Sequence, residues 1–581
     1  MGNIGLHVRA YLDVIGHNVA ECHTEEEVVA ALAKLREKMT GGVIPPLLCP
    51  GRSSMGTTKA GECRFVAGLA CLVFAISAAT ASADAAGKHV SVSIGSVKQL
   101  FLDHRFIAAS EGIALVVNPP AKRPEAVIVS DKPWDAFRII WLTVAEDNGE
   151  VKMWYQAFDN DQWAGGRSRL CYAVSKDGLT WTKPSLGIIE FQGSKDNNLI
   201  IDDIVNSSVF IDPHGKPEHR YKLVYTVHQD KEWKDVRVGT SSDGIHWELP
   251  SQGVAEIAAD TQHTAFWDAA IGKYVVYFRV MIDGDGKPPY PFVSPIESDP
   301  PVVAPKVLRP GRAVGRLEMD DILAPWPVGN IRTVLCADEL DPPDSDIYTH
   351  SPYAYPYAAD AYFLFPMTYQ HFRSDESSVG NDGVNDGQFC ASRDGIHWMR
   401  YDRKPYVERG LPGEPDWGAA QQTGWHVRVG NYLYQYRTGW PFTHGGFRAL
   451  PEEGRKSREN WGRQYVGVAI QRLDGFVSAD APYEGGWFVT PPLVFEGERL
   501  ELNINVAAMG EVRVQIEDEE GKPIDGFALD QCNRILFNDT AYIVKWQGRS
   551  DVSGLAGNAV RLRFAMRSAK LYAFRFAEQT Q

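Results

Sequence analysis

The sequence predicts an all-β fold, a five-bladed β-propeller followed by a C-terminal β-sandwich. Three observations support this prediction: a repeated tight-turn motif, strand-like alternation before each turn, and the composition. The chain of 581 residues contains 16 Trp, 23 Tyr and 25 Phe, with 53 Gly and 35 Pro. Aromatic residues favour strands, and Gly and Pro favour turns. With 44% hydrophobic and 23% charged residues, the chain is typical of folded proteins and unlike collagen, a coiled coil or a polytopic membrane protein.

The turn motif has the form Ser-x-Asp-Gly-x-x-Trp. It occurs at 175–181, 241–247 and 392–398, with a degraded copy at 316–326 and a fifth at 471–476. A period of 66 to 80 residues between the motif aspartates indicates one repeated supersecondary unit, as in a propeller. Because Asp accepts hydrogen bonds from nearby backbone and Gly takes positive φ, we expect these aspartates to form turns rather than to act in catalysis.

Strands are predicted before each turn, and together they place the propeller at 84–480. Blades 1 to 5 are assigned the segments Ile139–Ala145 and Val151–Phe158; Ser208–Ile211 and Tyr221–Val227; Thr264–Trp267 and Tyr274–Val280; Ala361–Pro366 and Gln388–Ala391; and His426–Val429, Tyr432–Tyr436 and Tyr465–Gln471. Residues 96–108 are expected to add a strand that helps to close the propeller. The sandwich, at 481–581, is assigned the strands Leu500–Val506, Val512–Ile516, Tyr542–Val544, Ala559–Phe564 and Leu571–Phe576.

Residues 1–83 are interpreted as an N-terminal extension and a signal peptide. The apolar run Phe65–Ala79 follows Lys59 and Arg64 and precedes Ala81-Ser82-Ala83, the three parts of a secretory signal. Translation from Met55 would give this signal an ordinary length. A short membrane anchor is the alternative. Cleavage would leave a secreted or periplasmic protein without stable membrane insertion.

Charge and cysteine content narrow the possible partners. The net charge of −15 argues against nucleic-acid binding, which requires a basic face. The four cysteines of the mature chain are widely spaced (Cys171, Cys336, Cys390 and Cys532), which leaves both a disulfide and isolated buried thiols open. No metal-ligand set and no cofactor requirement are identifiable, and the oligomeric state stays open.

Candidate site residues come from the segments before the first strand of each blade, because these gather at one mouth of a propeller channel. Glycosidic cleavage needs carboxyl groups there as acid and as base or nucleophile. We expect Asp135 to be the base or nucleophile, Asp260 the stabiliser or base, and Glu414 the proton donor. Capping of turns is the alternative role for each. Expected substrate contacts are Trp134, His263, Arg279, Tyr348, Gln421 and Arg437.

The blade turns, with Lys152-Met-Trp-Tyr155 and Arg220-Tyr-Lys222, resemble those of the arabinanase/levansucrase/invertase superfamily of five-bladed propellers. More narrowly, the chain is similar over 95–581 to secreted proteins related to glycoside hydrolase families 32 and 43. The shared features are Asp260-Thr-Gln262, Phe266-Trp-Asp268, Asp474–Ser478 and Leu571–Phe574. The resemblance implies three acids at the channel mouth and permits a channel cation. The invertase motifs W-M-N-D-P-N-G, R-D-P and E-C-P are absent, and Trp134-Asp135 is the nearest counterpart of the first acid.

These observations predict a secreted glycoside hydrolase acting on an oligo- or polysaccharide. Two other functions stay open: a non-catalytic carbohydrate-binding propeller, and a polysaccharide lyase. A lyase acting on uronic acids needs a Tyr or His base with neutralising arginine, and Tyr348 and Arg279 satisfy that requirement in composition.

Overall fold

The computed structural model describes residues 91–160, 166–227, 235–257, 259–282, 311–373, 379–456 and 464–578. The predicted signal peptide lies outside these residues. Within them, no helix has the length and apolar character needed to cross a membrane. Strands dominate; helical structure is confined to one α-helix, Glu452–Lys456, and to the 3-10 turns His104–Phe106, Pro133–Asp135, Pro217–His219, Val328–Asn330, Gly446–Ala449 and Ser553–Leu555.

Blades 1 to 3 are antiparallel sheets whose strands follow one another in sequence. Blade 1 contains Arg138–Asp147, Glu150–Phe158, Ser168–Ser175, Trp181–Thr182 and Leu199–Asp202. Blade 2 contains Ile204–Ile211, Tyr221–Val227, Asp235–Ser241 and Ala255–Glu256. Blade 3 contains Thr264–Asp268, Lys273–Ile282, Gly311–Met319 and Arg332–Leu335. The predicted strands of these blades are present at the predicted positions.

Blade 4 is broken across its width into two small sheets. One contains Ser345–Thr349, Met367–His371 and Gly383–Gly387; the other contains Pro352–Ala354, Tyr362–Leu364, Cys390–Ser392 and Met399–Arg400. The first sheet joins blade 5 through the parallel bridge between Asn385 and Ala419. The prediction placed no strand at 345–354, because polar residues interrupt the apolar alternation there.

Blade 5 contains Ala419–Val429, Tyr432–Trp440 and Tyr465–Arg472, and its fourth strand is Ala121–Val129. This segment closes the propeller by pairing antiparallel with Tyr465–Arg472. The expectation that 96–108 provides the closing strand is therefore wrong. Gln99–Leu100 instead pairs with Ala573 and Phe574, and Phe101 and Phe106 are buried in the core of the C-terminal domain. Ala121–Val129 contains Pro124, which an edge strand tolerates.

The C-terminal β-sandwich is built around two 19-residue strands that pair with each other. Its strands are Val92–Gly95, Gln99–Leu100, Ala109–Glu111, Ala114–Val117, Val477–Ala481, Gly486–Val489, Leu493–Phe495, Arg499–Glu517, Asn538–Ile543 and Ala559–Ala577. The predicted strands Leu500–Val506 and Val512–Ile516 are parts of one long strand with a bulge between them: the register shifts between Val506 and Glu511, and Met509 has a φ of 64°. Bulges of this kind bend a strand without ending it.

The Asp-Gly turns have the predicted chemistry. In the first, Asp177 accepts hydrogen bonds from the backbone N–H groups of Leu179 and Thr180 at 2.8 and 2.6 Å, and Gly178 has a φ of 73°. The glycine carbonyl of each complete motif also accepts a hydrogen bond from a side chain of the neighbouring blade. These donors are Tyr436 to Gly178, Trp154 to Gly244 and Tyr277 to Gly395, at 2.8, 2.6 and 2.5 Å. The turns therefore fasten adjacent blades to each other.

The four cysteines are buried free thiols (Cys171, Cys336, Cys390 and Cys532). Of the two alternatives from the sequence, the structure therefore shows isolated thiols. Burial raises the pKa of Cys532 to about 11 and that of Cys336 to about 12, which makes both poor nucleophiles at neutral pH.

Candidate active site

A cavity of about 1270 Å³, including space open to solvent, lies at one end of the blades. Residues from blades 1, 3, 4 and 5 and from the segment before blade 3 line it. The lining residues are Phe137–Trp141, Phe158, Asp260, Arg312, Tyr348, Thr349, Met367, Asn381, Asn385, Ala419, Gln421, Thr438–Trp440, His444, Phe447, Arg448 and Gln464. Radial packing thus brings residues more than 300 positions apart in the sequence to one concave surface.

The first strand of blade 1 is distorted where it reaches the cavity. Its register shifts between Ile140 and Thr143, and Trp141 has a φ of 49°. A positive φ is strained for a bulky side chain and persists only where surrounding structure enforces it. The distortion places Trp141 in the cavity wall.

Asp260 lies on the cavity and forms an ion pair with Arg279. Asp260 precedes the first strand of blade 3, and Arg279 lies on the second, so the two meet at the cavity end of that blade. The Arg279 side chain is 11% exposed, and its guanidinium carbon lies 5.6 Å from the ring centre of Tyr348. Burial, together with the neighbouring Arg312, lowers the pKa of Arg279 from its usual value. Asp260 is the only lining carboxylate among the described residues.

Tyr348 and His444 form a hydrogen-bonded pair on the cavity surface. The distance between the Tyr348 hydroxyl and Nε2 of His444 is 3.1 Å, and Nδ1 of His444 lies 3.0 Å from the carbonyl oxygen of Asn381. A carbonyl oxygen only accepts, so Nδ1 carries the proton of the neutral ring and Nε2 is free to accept from Tyr348. Burial, together with nearby arginines, lowers the pKa of His444 to about 4. The imidazole is therefore neutral at pH 7 and can accept the hydrogen bond of the Tyr348 hydroxyl.

Arginines surround this pair. The guanidinium carbon of Arg312 lies 5.4 Å from the ring centre of Tyr348, and Arg312 is held by Asp346 at 2.8 Å. Arg138 lies over the Trp440 ring at 4.7 Å, and Arg448 lines the same wall. Positive charge therefore lies close to the Tyr348–His444 pair on this wall.

The remaining walls are aromatic and amide surfaces. Phe137, Trp440 and Phe447 pack edge to face with ring centres 5.2 to 6.2 Å apart. Gln421 is buried, and its Nε2 has no hydrogen-bond partner among the described residues. Aromatic faces pack on the C–H surfaces of sugars, and an unsatisfied amide in a cavity wall can donate to a hydroxyl.

The structure brings only part of the predicted site together. Asp260, Tyr348 and Gln421 line the cavity, and Arg279 joins them through its pair with Asp260. The other five predicted residues lie elsewhere.

Asp135 and Trp134 belong to the packing of blade 1. Asp135 is fully buried, accepts from the backbone N–H of Lys132 at 2.8 Å and pairs with Lys183 at 2.6 Å. Burial raises the pKa of Asp135 from its usual value. Trp134 donates to Asn198 at 2.8 Å and packs on Phe191. Neither residue lines the cavity, because the 3-10 turn Pro133–Asp135 directs both side chains into the blade.

Glu414 and Arg437 also lie away from the cavity surface. Glu414 is exposed and accepts from the backbone N–H of Leu411 at 3.0 Å, as a turn-capping residue does. Arg437 is buried in an ion pair with Asp416 at 2.6 Å. Asp416, two residues after Glu414, therefore stabilises blade 5 from the interior. The three predicted acids do not converge.

His263 is enclosed near the axis of the propeller. It is 1% exposed, and burial lowers its pKa to about 4. Its backbone carbonyl accepts from Ser208 of blade 2. No group of three or more His, Cys, Asp or Glu in the described part of the chain is placed to hold a metal ion.

Four cavity residues were missed in the sequence: Arg138, Arg312, His444 and Arg448. Arg138 and Arg312 lie in strands that carry no motif, Arg448 lies in the 3-10 turn Gly446–Ala449, and His444 lies in the loop between that turn and the second strand of blade 5. The segment Thr443-His444-Gly445-Gly446 interrupts a strand pattern with a His between a Thr and two Gly, which is the one signal that marks it.

No known protein family and no curated protein matches the chain. Solved structures with a related arrangement include a glycosyl hydrolase from Bacteroides ovatus, at 14% identity and a TM-score of 0.35, over 66% of this chain and 94% of that one. A β-1,2-mannobiose phosphorylase from Listeria innocua matches at 12% identity and a TM-score of 0.38, over 61% and 97%. A structure described for the GH130 family of mannoside phosphorylases and hydrolases matches at 13% and 0.38, over 61% and 94%. Likenesses of this degree assign no activity to this chain, and the resemblance to the arabinanase/levansucrase/invertase superfamily stays a prediction.

Proposed function

We propose that the protein is a carbohydrate-active enzyme that cleaves glycosidic linkages in the propeller cavity. The observation that carries this proposal is the hydrogen bond between the Tyr348 hydroxyl and the neutral His444, on the same surface as Asp260. An acceptor for the tyrosine proton, two arginines beside the ring and a carboxylate on one concave surface form a reactive site rather than ordinary packing.

The first candidate reaction is hydrolysis, which Asp260 favours. Tyr348 would attack the anomeric carbon as its proton passes to Nε2 of His444, and the bond to the leaving oxygen would break. That proton is then available to the leaving oxygen. A tyrosine nucleophile is an established exception to the paired-carboxylate scheme. Asp260 would then act as the general base for the water that releases the sugar.

The second candidate is β-elimination, which the arginines beside Tyr348 favour. Here Tyr348, with its proton accepted by His444, removes the proton at the carbon next to a sugar carboxylate. Arg312 would neutralise that carboxylate, so that negative charge can develop on it. The bond to the leaving oxygen then breaks, a double bond forms in the sugar ring, and the leaving oxygen takes up the proton that Tyr348 removed.

A product assay on a panel of neutral and acidic polysaccharides tests the proposal and separates the reactions. Hydrolysis releases reducing ends without new ultraviolet absorbance, whereas elimination releases both together. Tyr348→Phe and Asp260→Asn are compared with wild type, and Glu414→Gln is the matched control, because Glu414 is exposed and distant from the lining. If Tyr348→Phe loses activity and Asp260→Asn keeps it, the result supports elimination. If both variants lose activity, the result supports hydrolysis. A folded wild type that binds glycans without cleaving any would support the carbohydrate-binding alternative.

Export forms a separate part of the proposal. The sequence Lys59–Ala83 has the three regions of a secretory signal, which would deliver the enzyme to the periplasm or the exterior, where polysaccharides are met. N-terminal sequencing of the protein recovered from its native host tests this, with Asp84 as the expected first residue. Recovery of an uncleaved chain in the membrane fraction would support the anchor alternative.

A further inference from the structure

We infer that the cavity selects a saccharide that carries carboxylate groups, of the hexuronate class, and that Arg312 and Arg448 bind a carboxylate of that saccharide. This inference rests on the proposed function and names the substrate class of the same site. It is carried by the charge of the cavity wall, the placement of the arginines and the aromatic surface beside them.

The charge of the cavity wall is opposite to that of the whole chain. The chain has a formal charge of −15, whereas the charged lining residues are Arg138, Arg312, Arg448 and Asp260. Asp260 is already engaged by Arg279. A concave surface with excess positive charge attracts anions and concentrates them locally. An acidic protein that placed three arginines in one cavity by chance would be unusual.

The arginines converge on one region rather than scattering over the wall. Arg138, Arg312 and Arg448 all act electrostatically on His444 and lower its pKa. Arg448 also reaches the carbonyl oxygen of Asn381 at 3.5 Å, the same oxygen that orients His444. Positive charge from three directions therefore meets beside the Tyr348–His444 pair.

Two carboxylates behind the wall do not cancel this charge completely. Asp346 is bound by Arg312 at 2.8 Å and lies 3.2 Å from His371. Asp382 accepts from the backbone N–H groups of Gly383 and Gly445 at 2.8 and 2.7 Å. Among the described residues, Asp346 is the carboxylate that holds Arg312, through one edge of the guanidinium, and the other edge can make the two-point contact that arginine makes with a carboxylate.

The aromatic surface next to the arginines fits a sugar ring rather than a small inorganic anion. Trp141 and Tyr348 line the cavity as half-buried rings, and Trp440, with Arg138 over it at 4.7 Å, is buried in the same wall. A free phosphate has no apolar face to cover these rings. A hexuronate has both the apolar C–H face and the carboxylate, so it matches both halves of the wall.

Calorimetric binding in the Tyr348→Phe background tests the inference without consuming the ligand. The probes are oligosaccharides of galacturonate, glucuronate and mannuronate, each paired with its carboxyl-reduced counterpart, which has the same linkages and no charge. Inorganic phosphate is the third probe. We expect at least one acidic member to bind about tenfold or more tightly than its reduced counterpart, as a charged hydrogen-bonded contact implies, and to weaken as the salt concentration rises.

Added to this background, Arg448→Gln should weaken acidic binding about fivefold or more, and Arg312→Gln should weaken it further. Arg448 is exposed, so its variant should fold even if loss of Arg312 beside the buried Asp346 does not permit folding. Arg428→Gln is the matched control, because Arg428 is an exposed arginine of blade 5 outside the cavity. Equal weakening by Arg428→Gln would overturn the inference.

The remaining outcomes separate the inference from the proposed function. Equal binding of acidic and reduced members, binding of neutral members or phosphate alone, or no acidic member binding would each overturn the inference. Cleavage of a neutral glycan by wild type alongside any of these would leave the proposed function standing. Selective acidic binding without cleavage by wild type would support the inference and reject the enzymatic proposal.

Discussion

Replacing Tyr348 by Phe removes the hydroxyl that donates a hydrogen bond to His444 and keeps the aromatic ring. The ring of Tyr348 packs edge to face on Tyr369 and on His444, with ring centres 5.5 and 5.0 Å apart. It also lies under Arg279 and Arg312 at 5.6 and 5.4 Å. Phenylalanine keeps all of these ring contacts, so the variant isolates the reactive oxygen from the packing around it.

The structure sets different magnitudes for stability and for catalysis. The hydrogen bond from Tyr348 to His444 at 3.1 Å and the one between the Tyr348 hydroxyl and Arg279 are lost, which should lower the free energy of unfolding by about 1 to 2 kcal/mol. If the oxygen is the nucleophile or base, kcat should fall about 10³-fold, or about 4 kcal/mol of barrier. KM should change little, because the ring and the arginines that hold the substrate remain.

Initial rates on the cleaved glycan, together with thermal unfolding, measure both effects. Tyr369→Phe is the matched control: its hydroxyl bonds Asn381 at 3.3 Å, and its ring packs beside Tyr348, but it does not contact His444 by that oxygen. Tyr369→Phe should keep most of the wild-type kcat. A Tyr348→Phe variant that retained about a fifth or more of the wild-type kcat would refute the assignment of Tyr348 as the reacting group.

Further predictions concern pH and the residues outside the cavity. His444 accepts the hydrogen bond from Tyr348 only when its ring is neutral, and its pKa is lowered to about 4. The value of kcat/KM should therefore stay constant down to near pH 4 and fall about tenfold per pH unit below it. A pH–rate profile that instead falls near pH 6.5 would contradict this. Asp135→Ala should lower the free energy of unfolding by about 1 to 2 kcal/mol, because Lys183, 11% exposed, loses one carboxylate but keeps Asp131 at 2.7 Å and the Val129 carbonyl at 2.8 Å. The value of kcat should stay unchanged; denaturant unfolding and initial rates measure the two. The pKa of Asp243 is lowered to about 2 from 3.8. Its ionised carboxylate should therefore stabilise the fold above pH 4, and that contribution should be lost between about pH 4 and pH 2. The free energies of unfolding of Asp243→Ala and wild type should differ above that range and converge within it, as acid unfolding measures.

The propeller could be predicted because its strongest signals are local. Each Ser-x-Asp-Gly-x-x-Trp turn is determined by hydrogen bonds within a few residues, such as Gly178 to Ser175 at 2.9 Å. Blade closure is not local. Ala121–Val129 pairs with a strand more than 300 residues away, and nothing in its own pattern distinguishes it from the aromatic segment 96–108, whose Phe101 and Phe106 supply the sandwich core instead.

The site could be predicted only where position in the blade determines it. Asp260 and Tyr348 lie before or within first strands, and radial packing carries both to the cavity. Asp135 and Glu414 occupy comparable sequence positions, but one caps a 3-10 turn over Lys183 and the other caps an exposed turn at Leu411. The geometry of the turn decides whether a carboxylate before a strand accepts hydrogen bonds from nearby backbone N–H groups or faces the cavity. The sequence alone does not reveal that geometry. His444 was missed because its function depends on a partner 96 residues away.

The reacting groups come from separate parts of the ring: Asp260 from the start of blade 3, Tyr348 from blade 4 and His444 from the loop after a blade 5 strand. Their spacing is therefore set by how blades pack, and a shift of one blade by even 1 Å would break a hydrogen bond of 3.1 Å. The Asp-Gly turns hold that spacing, since the Tyr277 hydroxyl of blade 3 donates to the Gly395 carbonyl of blade 4, and the Arg316 guanidinium of blade 3 donates to the same oxygen at 3.1 Å. The reacting groups lie on different blades, and hydrogen bonds at the Asp-Gly turns hold those blades together. The turns therefore help to maintain the distances between the groups in the cavity.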